Sequence, residues 1–436
     1  MKHLLAVCLI GSASLTGVRG QGPVHLTIDQ VWRQSENFSK EVQSEQYKLQ
    51  ASREELAQAR SERLPEVNAA GQYARVSNLP EYENGILHAP TQYPVLHTYY
   101  TLGAEAYLNV YNGNRLNTII NEKEIADRMA QEKTSATLSD VRLRASAWFL
   151  DIEKGRIFRE LTSKNIEDRE RQLEHIRQLQ KNGVVLKSDV LRAELQLSRQ
   201  KLSLEQIDND IAIATQRLNI LIGQRDSTQV LPVDLPNPDS LVLGPCQQYL
   251  EEAALHAHTG LLSEDQALLR RLQVQEAKAA NMPKVGLFAQ YQYAYPQILF
   301  YPYAAAVYGF GMVGVKASWS ISHFYQNRHR VKAAEWEARS QETEHAQVED
   351  QVRSRVTTAW LRYKEALHRI AVAKANVSQA IENDRIVNNT YFNQLSLVTD
   401  LLDADTQLLE TRYEETSARI AALLQYFQLQ ESIGNL

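Results

Sequence analysis

Apolar and polar side chains alternate along four segments of the chain. The apolar set in segment 98–110 is Tyr100, Leu102, Ala104, Ala106, Leu108 and Val110, with mostly polar or small residues between them. Segments 66–76, 284–294 and 308–322 follow the same rule. Successive side chains of a strand point to opposite faces, so the pattern predicts four strands that separate an apolar medium from a polar one.

Two environments fit such strands: the lipid of a membrane, or a soluble sandwich with one wet face. The segments reach the roughly 9 to 11 residues that a tilted membrane strand needs. Loops 77–97 and 294–307 are rich in Tyr and Pro, as expected beside an interfacial aromatic belt. These features favour the membrane. Because about eight strands are the minimum for a membrane barrel, we expect several copies of the chain to contribute to one barrel.

Two further stretches, 113–182 and 327–392, follow helical spacing without any Pro. A helix of about 70 residues is on the order of 100 Å long, so the molecule must be elongated. The second stretch carries a continuous heptad seam, which predicts coiled-coil packing against other helices. Its positions are Val352, Val356, Ala359, Tyr363, Ala366, Ile370, Ala373, Val377, Ala380, Asp384, Val387 and Tyr391. Turn-forming residues at 181–183 and near 388–389 predict that each long helix folds back as a hairpin, with its tip away from the strands.

The same order of elements occurs twice. Ser188-Asp189-Val190-Leu191 returns as Thr399-Asp400-Leu401-Leu402, shifted by 211 residues. We therefore expect a first structural repeat at 21–222, a linker that forms an equatorial collar at 223–245, and a second repeat at 246–436. Each repeat holds a helix, two strands and a long helical hairpin, so the fold class is an α+β membrane protein.

The first 20 residues have the three parts of a secretory signal peptide: a charged start, an apolar stretch and a small-residue end. No apolar run of about 20 residues follows, so an exported chain that crosses a bilayer is expected to do so as a closed β-barrel. Cys246 is the only cysteine after residue 20, which rules out an intramolecular disulfide in the mature chain. The net charge of −5 argues against a nucleic-acid partner.

Motifs for catalysis or cofactor binding are weak. Gly309, Gly311 and Gly314 satisfy the G-x-G-x-x-G spacing, but they lie within a strand pattern that leads into further alternation, whereas a dinucleotide site needs a following helix. His256 and His258 do not share a helical face. No Ser/His/Asp or Cys/His arrangement with a recognisable context occurs. We expect no enzyme, no cofactor and no metal site.

Taken in order, these features resemble the TolC-type outer membrane factors. The likeness covers nearly all of residues 21–436, and it rests on the duplicated order, on the Leu64-Pro65 and Met282-Pro283 entries to the strands and on the Tyr111-Asn-Gly113-Asn-Arg115 segment. The resemblance implies a homotrimer with a twelve-stranded β-barrel, four strands per chain, and an α-helical tunnel across the periplasm. It also implies outer membrane lipid, a periplasmic adaptor and an inner membrane transporter of a tripartite efflux pump or type I secretion system as partners.

The resemblance also implies which residues lie at the periplasmic entrance. Asp400 and Asp403 match an acidic pair that lines the constriction, and Tyr391 and Asp189 match two members of a network that ties the entrance shut. Ser396 stands where the family has an Arg in that network. The simpler alternative is that the Asp residues only cap or solvate the start of a helix.

Two other functional classes remain as alternatives. A periplasmic adaptor also has a helical hairpin, but it needs one hairpin with lipoyl-like and barrel domains, whereas this sequence predicts two hairpins and lipid-patterned strands. A structural coiled-coil protein would lack strands with one polar face. We therefore expect a passive exit duct in the bacterial outer membrane.

Overall fold

The computed structural model describes residues 23–299, 304–393 and 395–436. The predicted signal segment therefore lies outside the described residues. The helices are α1 (Ile28–Phe38), α2 (Lys40–Ser61), α3 (Arg115–Lys181), α4 (Lys187–Ile222), α5 (Cys246–His256), α6 (His258–Ala279), α7 (His323–Gln326), α8 (Arg328–Phe392) and α9 (Val398–Ser432). The strands are β1 (Val24–Leu26), β2 (Glu66–Arg75), β3 (Leu79–Glu81), β4 (Thr91–Tyr93), β5 (Thr98–Tyr111), β6 (Val230–Pro232), β7 (Lys284–Tyr295) and β8 (Tyr308–Ser318).

Four strands form one antiparallel sheet in the order β2-β5-β7-β8. Its register aligns apolar residues across all four strands on one face. One such row is Val67, Ala106, Ala289 and Val313. The next row, on the other face, is Asn68, Glu105, Gln290 and Met312. The alternation in the sequence thus becomes a sheet with one apolar and one largely polar face, and within the described residues β2 and β8 are its edges.

The fourth strand is shorter than the predicted 308–322. β8 ends at Ser318, and the chain then turns toward α7 and α8. The indole N–H of Trp319 donates to the carbonyl of Asn281 at 3.0 Å, and the backbone N–H of His323 donates to Ser320 at 3.2 Å. These hydrogen bonds bend the backbone away from the sheet, although the apolar alternation continues to Ile321.

The long helices α3 and α8 contain 67 and 65 residues, so each spans about 100 Å. α3 pairs with α4 in one hairpin and α8 pairs with α9 in the other, while α3 also packs against α2, α6 and α9. Every predicted seam position from Val352 to Tyr391 is buried or half-buried. The predicted coiled-coil packing is therefore present within a single chain.

The first hairpin turn lies where the sequence predicted it, after Lys181, with Gly183 at a φ of 75° that favours glycine. The second turn was predicted about four residues too early. Asn388 and Asn389 are helical, and α8 continues to Phe392 because the apolar seam extends through the buried Tyr391. No helix in the described ranges is both long and apolar enough to cross a membrane.

Candidate functional site at the hairpin tips

The tips of the two hairpins meet in one apolar cluster. The α3–α4 hairpin and the α8–α9 hairpin both contribute side chains to it. Its buried members are Leu173, Ile176, Ala193, Tyr391, Val398, Leu401 and Leu402. Their spacing of three or four residues places them on the facing sides of the helices, so the heptad pattern itself brings the tips together.

Tyr391 is the largest polar side chain in this cluster. It is 6% exposed, and its hydroxyl is buried without a hydrogen-bond partner among the described residues. Burial raises the pKa of Tyr391, and the nearby charge of Asp189 raises it further. Tyr391 and Asp189 are thus neighbours, but no hydrogen bond joins them within one chain.

Asp189 and Asp400 have the same local role in the two repeats. The Asp189 carboxylate accepts a hydrogen bond from the backbone N–H of Leu186 at 3.1 Å. The Asp400 carboxylate accepts one from the backbone N–H of Leu397 at 3.0 Å. Each Asp lies in the first turn of its helix, where a negative charge also faces the positive end of the helix dipole. Within one chain, Asp400 therefore caps the start of its helix, as the simpler alternative from the sequence predicted.

Asp403 differs from Asp400. It is exposed one turn further along α9, and it makes no hydrogen bond or ion pair with any described residue. Ser396, at the position of the family Arg, lies in the turn and accepts a hydrogen bond from the Thr390 hydroxyl at 3.3 Å. The turn therefore supplies no cation to Asp189, and Asp403 is the carboxylate that stays free to meet other groups.

A buried arginine that the sequence reasoning missed joins the hairpins higher up. Arg169 of α3 has a side chain that is 5% exposed. Its guanidinium donates to Asn165 at 2.9 Å, to Gln196 of α4 at 2.8 Å and to Thr406 of α9 at 2.9 Å. It also lies 2.9 Å from Asp405 of α9, and among the described residues no other ion pair joins the two hairpins.

Asp405 lies in a crowded acidic environment. The Nε–H of Arg169 donates to Asn165, so the Asp405 carboxylate oxygen that lies closest to Arg169 accepts no hydrogen bond. The other carboxylate oxygen of Asp405 accepts a hydrogen bond from the Asn165 side chain at 2.9 Å. Burial raises the pKa of Asp405. The positive charge of Arg169 lowers this pKa, and the negative charge of Asp384 raises it further. A cavity of about 390 Å³ beside it is also lined by Asp168, among other residues.

The glycines of the G-x-G-x-x-G spacing and His258 lie in a strand and in a helix contact. Gly309, Gly311 and Gly314 lie within β8. His258 bonds Glu132 at 2.5 Å and Ser139 at 3.2 Å, where α6 packs on α3. In the part of the chain that the structure describes, no group of three or more His, Cys, Asp or Glu residues is arranged to hold a metal ion.

Comparisons with known proteins place this architecture. The statistical model of the outer membrane efflux protein family matches residues 32–224 and 265–435. The solved outer-membrane channel OprN is similar, with 17% identity and a TM-score of 0.80 over 94% of this chain and 90% of that chain. The outer membrane protein VceC from Vibrio cholerae has 15% identity and a TM-score of 0.78 over 93% of this chain and 96% of that chain.

A third solved structure shows the same likeness. The open state of the MtrE outer membrane channel of Neisseria gonorrhoeae has 15% identity and a TM-score of 0.74, covering 93% of this chain and 88% of that chain. No curated protein sequence matches this chain. The solved structures therefore share the fold, and the family match spans more than half of the sequence. The chain belongs to the outer membrane efflux protein family.

Proposed function

We propose that three copies of this chain form a passive duct through the outer membrane, which exports the substrate of a tripartite efflux pump or type I secretion system. The family supports the general role of an outer membrane efflux channel. The observation that carries the rest is a sheet with an exposed apolar face, joined to two long helical hairpins, whose edge strands β2 and β8 find no further partner strand among the described residues.

The sheet supports an assembly of several copies. On its apolar face Val67 is 70% exposed and Val313 is 82% exposed, so the single chain leaves this face uncovered. Edge strands present unpaired N–H and C=O groups that must find partners in lipid. Pairing β8 of one copy with β2 of the next closes a barrel, and three copies supply twelve strands.

The hairpin tips support a gated periplasmic entrance. Apolar packing around Tyr391 and the buried Arg169–Asp405 pair both join the α3–α4 hairpin to the α8–α9 hairpin. In a trimer, three copies of Asp403 gather around one axis and favour cations, with Asp400 contributing from the same turn. A periplasmic adaptor and an inner membrane transporter engage the tips and open the entrance by separating the hairpins.

Membrane fractionation and native mass measurement test the assembly. The chain is expected in the outer membrane fraction as a trimer that forms conducting channels in planar bilayers. Cross-linking between a cysteine introduced near the hairpin tips and the periplasmic adaptor tests whether the adaptor engages the tips. A water-soluble monomer without channel activity would overturn the proposal.

A further inference from the structure

Exposed aromatic and aliphatic side chains cluster where β8 leads into α8. Trp319 is 55% exposed, Ile321 70%, Phe324 55% and Tyr325 68%. The rings of Trp319 and Phe324 pack edge to face with their centroids 5.7 Å apart. They follow directly on the end of β8, so they continue the exposed apolar face of the sheet toward the helices.

Unpaired cations follow immediately along the chain. Arg328, Arg330 and Lys332 are exposed in the first turns of α8, and none forms an ion pair with a described residue. Residues 277–334 contain no Asp or Glu at all. The first carboxylate after them, Glu335, forms its ion pair with Lys278 at 2.8 Å, and the charge of Lys332 makes only a minor contribution to the lowered pKa of Glu335.

The first repeat lacks this arrangement at the equivalent strand-to-helix junction. There Arg115, the first residue of α3, donates to Glu276 of α6 at 3.1 and 2.8 Å. Its charge is therefore neutralised within the chain. Arg63, which donates to Asn117 of α3 at 2.9 Å, is the one cation at this first junction that forms no ion pair with a described residue. The second junction carries three such cations in consecutive turns of one helix, so the general architecture does not require them.

We propose that this junction patch, formed by Trp319, Ile321, Phe324, Tyr325, Arg328, Arg330 and Lys332, binds anionic phospholipid headgroups on the periplasmic side of the membrane. The inference rests on the proposed function, because it takes the sheet to lie in the outer membrane. Aromatic rings are favoured at the level of the headgroups, and Lys and Arg just beyond them attract anionic lipid. The order of the patch along the chain, from strand to aromatic to basic residues, matches the order of those layers.

Nanodiscs of phosphatidylcholine, with and without phosphatidylglycerol, provide the test on the full chain. The variant Arg328→Gln/Arg330→Gln/Lys332→Gln is compared with Arg353→Gln/Arg362→Gln/Arg369→Gln on the same helix. The control cations are also exposed but pair with carboxylates of α8 itself. They begin 21 residues beyond Lys332, which is about 30 Å along the helix.

Native mass spectrometry of retained lipid and thermal unfolding are the measurements. Each basic residue at an anionic surface is worth about fivefold in affinity, so the patch variant should lose up to about a hundredfold in its preference for phosphatidylglycerol. The control variant should keep the preference of the wild type. Inorganic phosphate added to phosphatidylcholine discs should not reproduce the stabilisation, and added salt should weaken it.

Three results would overturn the site. Equal retention of phosphatidylglycerol by the patch variant and the wild type would show that the cations do not bind lipid. Loss of the trimer with lipid retention unchanged would identify the patch as an interface between copies of the chain. Stabilisation by phosphate alone would identify an anion site rather than a lipid surface. A wild-type chain that never enters a membrane would instead refute the duct.

Discussion

Replacing Tyr391 with Ala is expected to open the duct more than replacing Asp189 with Ala. Tyr391 is 6% exposed within the cluster that joins the hairpins, so its loss leaves a cavity between them. Truncating a buried aromatic residue costs about 3–5 kcal/mol. Asp189 accepts one exposed backbone hydrogen bond at a helix start, a contact worth about 1 kcal/mol.

The difference between the two variants is therefore at least about 2 kcal/mol, or about thirtyfold in the equilibrium between closed and open tips. Single-channel conductance in planar bilayers measures the opening. Hydrogen exchange over residues 173–193 and 387–402 measures the same separation of the tips without relying on conduction.

Tyr391→Phe is the matched control, because it keeps the ring and removes only the hydroxyl. That hydroxyl is buried and has no hydrogen-bond partner in the part of the chain that the structure describes, a state that costs about 1–3 kcal/mol, so the Phe variant should stay closed and unfold at an equal or higher temperature. Equal or reversed effects of the two Ala variants would refute closure by packing. Opening by Tyr391→Phe would show that the hydroxyl carries the closing contact between copies.

Three further outcomes follow from particular residues. Asp403→Asn should weaken block by multivalent cations more than Asp400→Asn does, measured in the same bilayers, because the Asp400 carboxylate already accepts a hydrogen bond from Leu397 at the start of α9. Burial raises the pKa of Glu122 from 4.5 to about 7, so Glu122 should make the wild type lose stability as pH rises from about 4.5 through 7, and Glu122→Gln should make that slope shallower in thermal unfolding. Gly113→Ala should lower the unfolding temperature, since Gly113 has a φ of 69° and a Cβ there lies 2.4 Å from Met282.

The sheet and the hairpins were predictable because each depends on a short repeating period. Alternation over about ten residues defines a strand, and a seam of twelve positions defines the long helix α8. The errors lie at element ends. Trp319 and Ile321 keep the strand pattern beyond the last ladder hydrogen bond, and Asn388 and Asn389 are turn formers that the buried Tyr391 holds in a helix. In both places long-range contacts outweigh local preference.

The buried ion pair of Arg169 and Asp405 was not predictable from composition, since charged residues are normally expected at the surface. A signal was nevertheless present. Arg169 lies three residues after Ile166 and four before Leu173, so it occupies a seam position in α3. Its partners on α4 and α9 are 27 and more than 230 residues away along the chain. No local pattern indicates which polar groups such a residue will meet.

The duplication separates structural residues from residues that can differ in function. A shift of 211 residues relates Asp189 to Asp400, and both carry the same helix-start hydrogen bond, which explains why both repeats have an Asp there. The same shift relates Arg192 to Asp403, and Gln180 to Tyr391, so these positions do not follow from the shared fold. If the entrance closes by movement of one hairpin against the other, the two hairpins must differ in sequence at the contacts that move, because two identical hairpins would respond in the same way. We therefore expect substitutions at Tyr391 and Asp403 to change channel opening more than substitutions at the Asp that both repeats share.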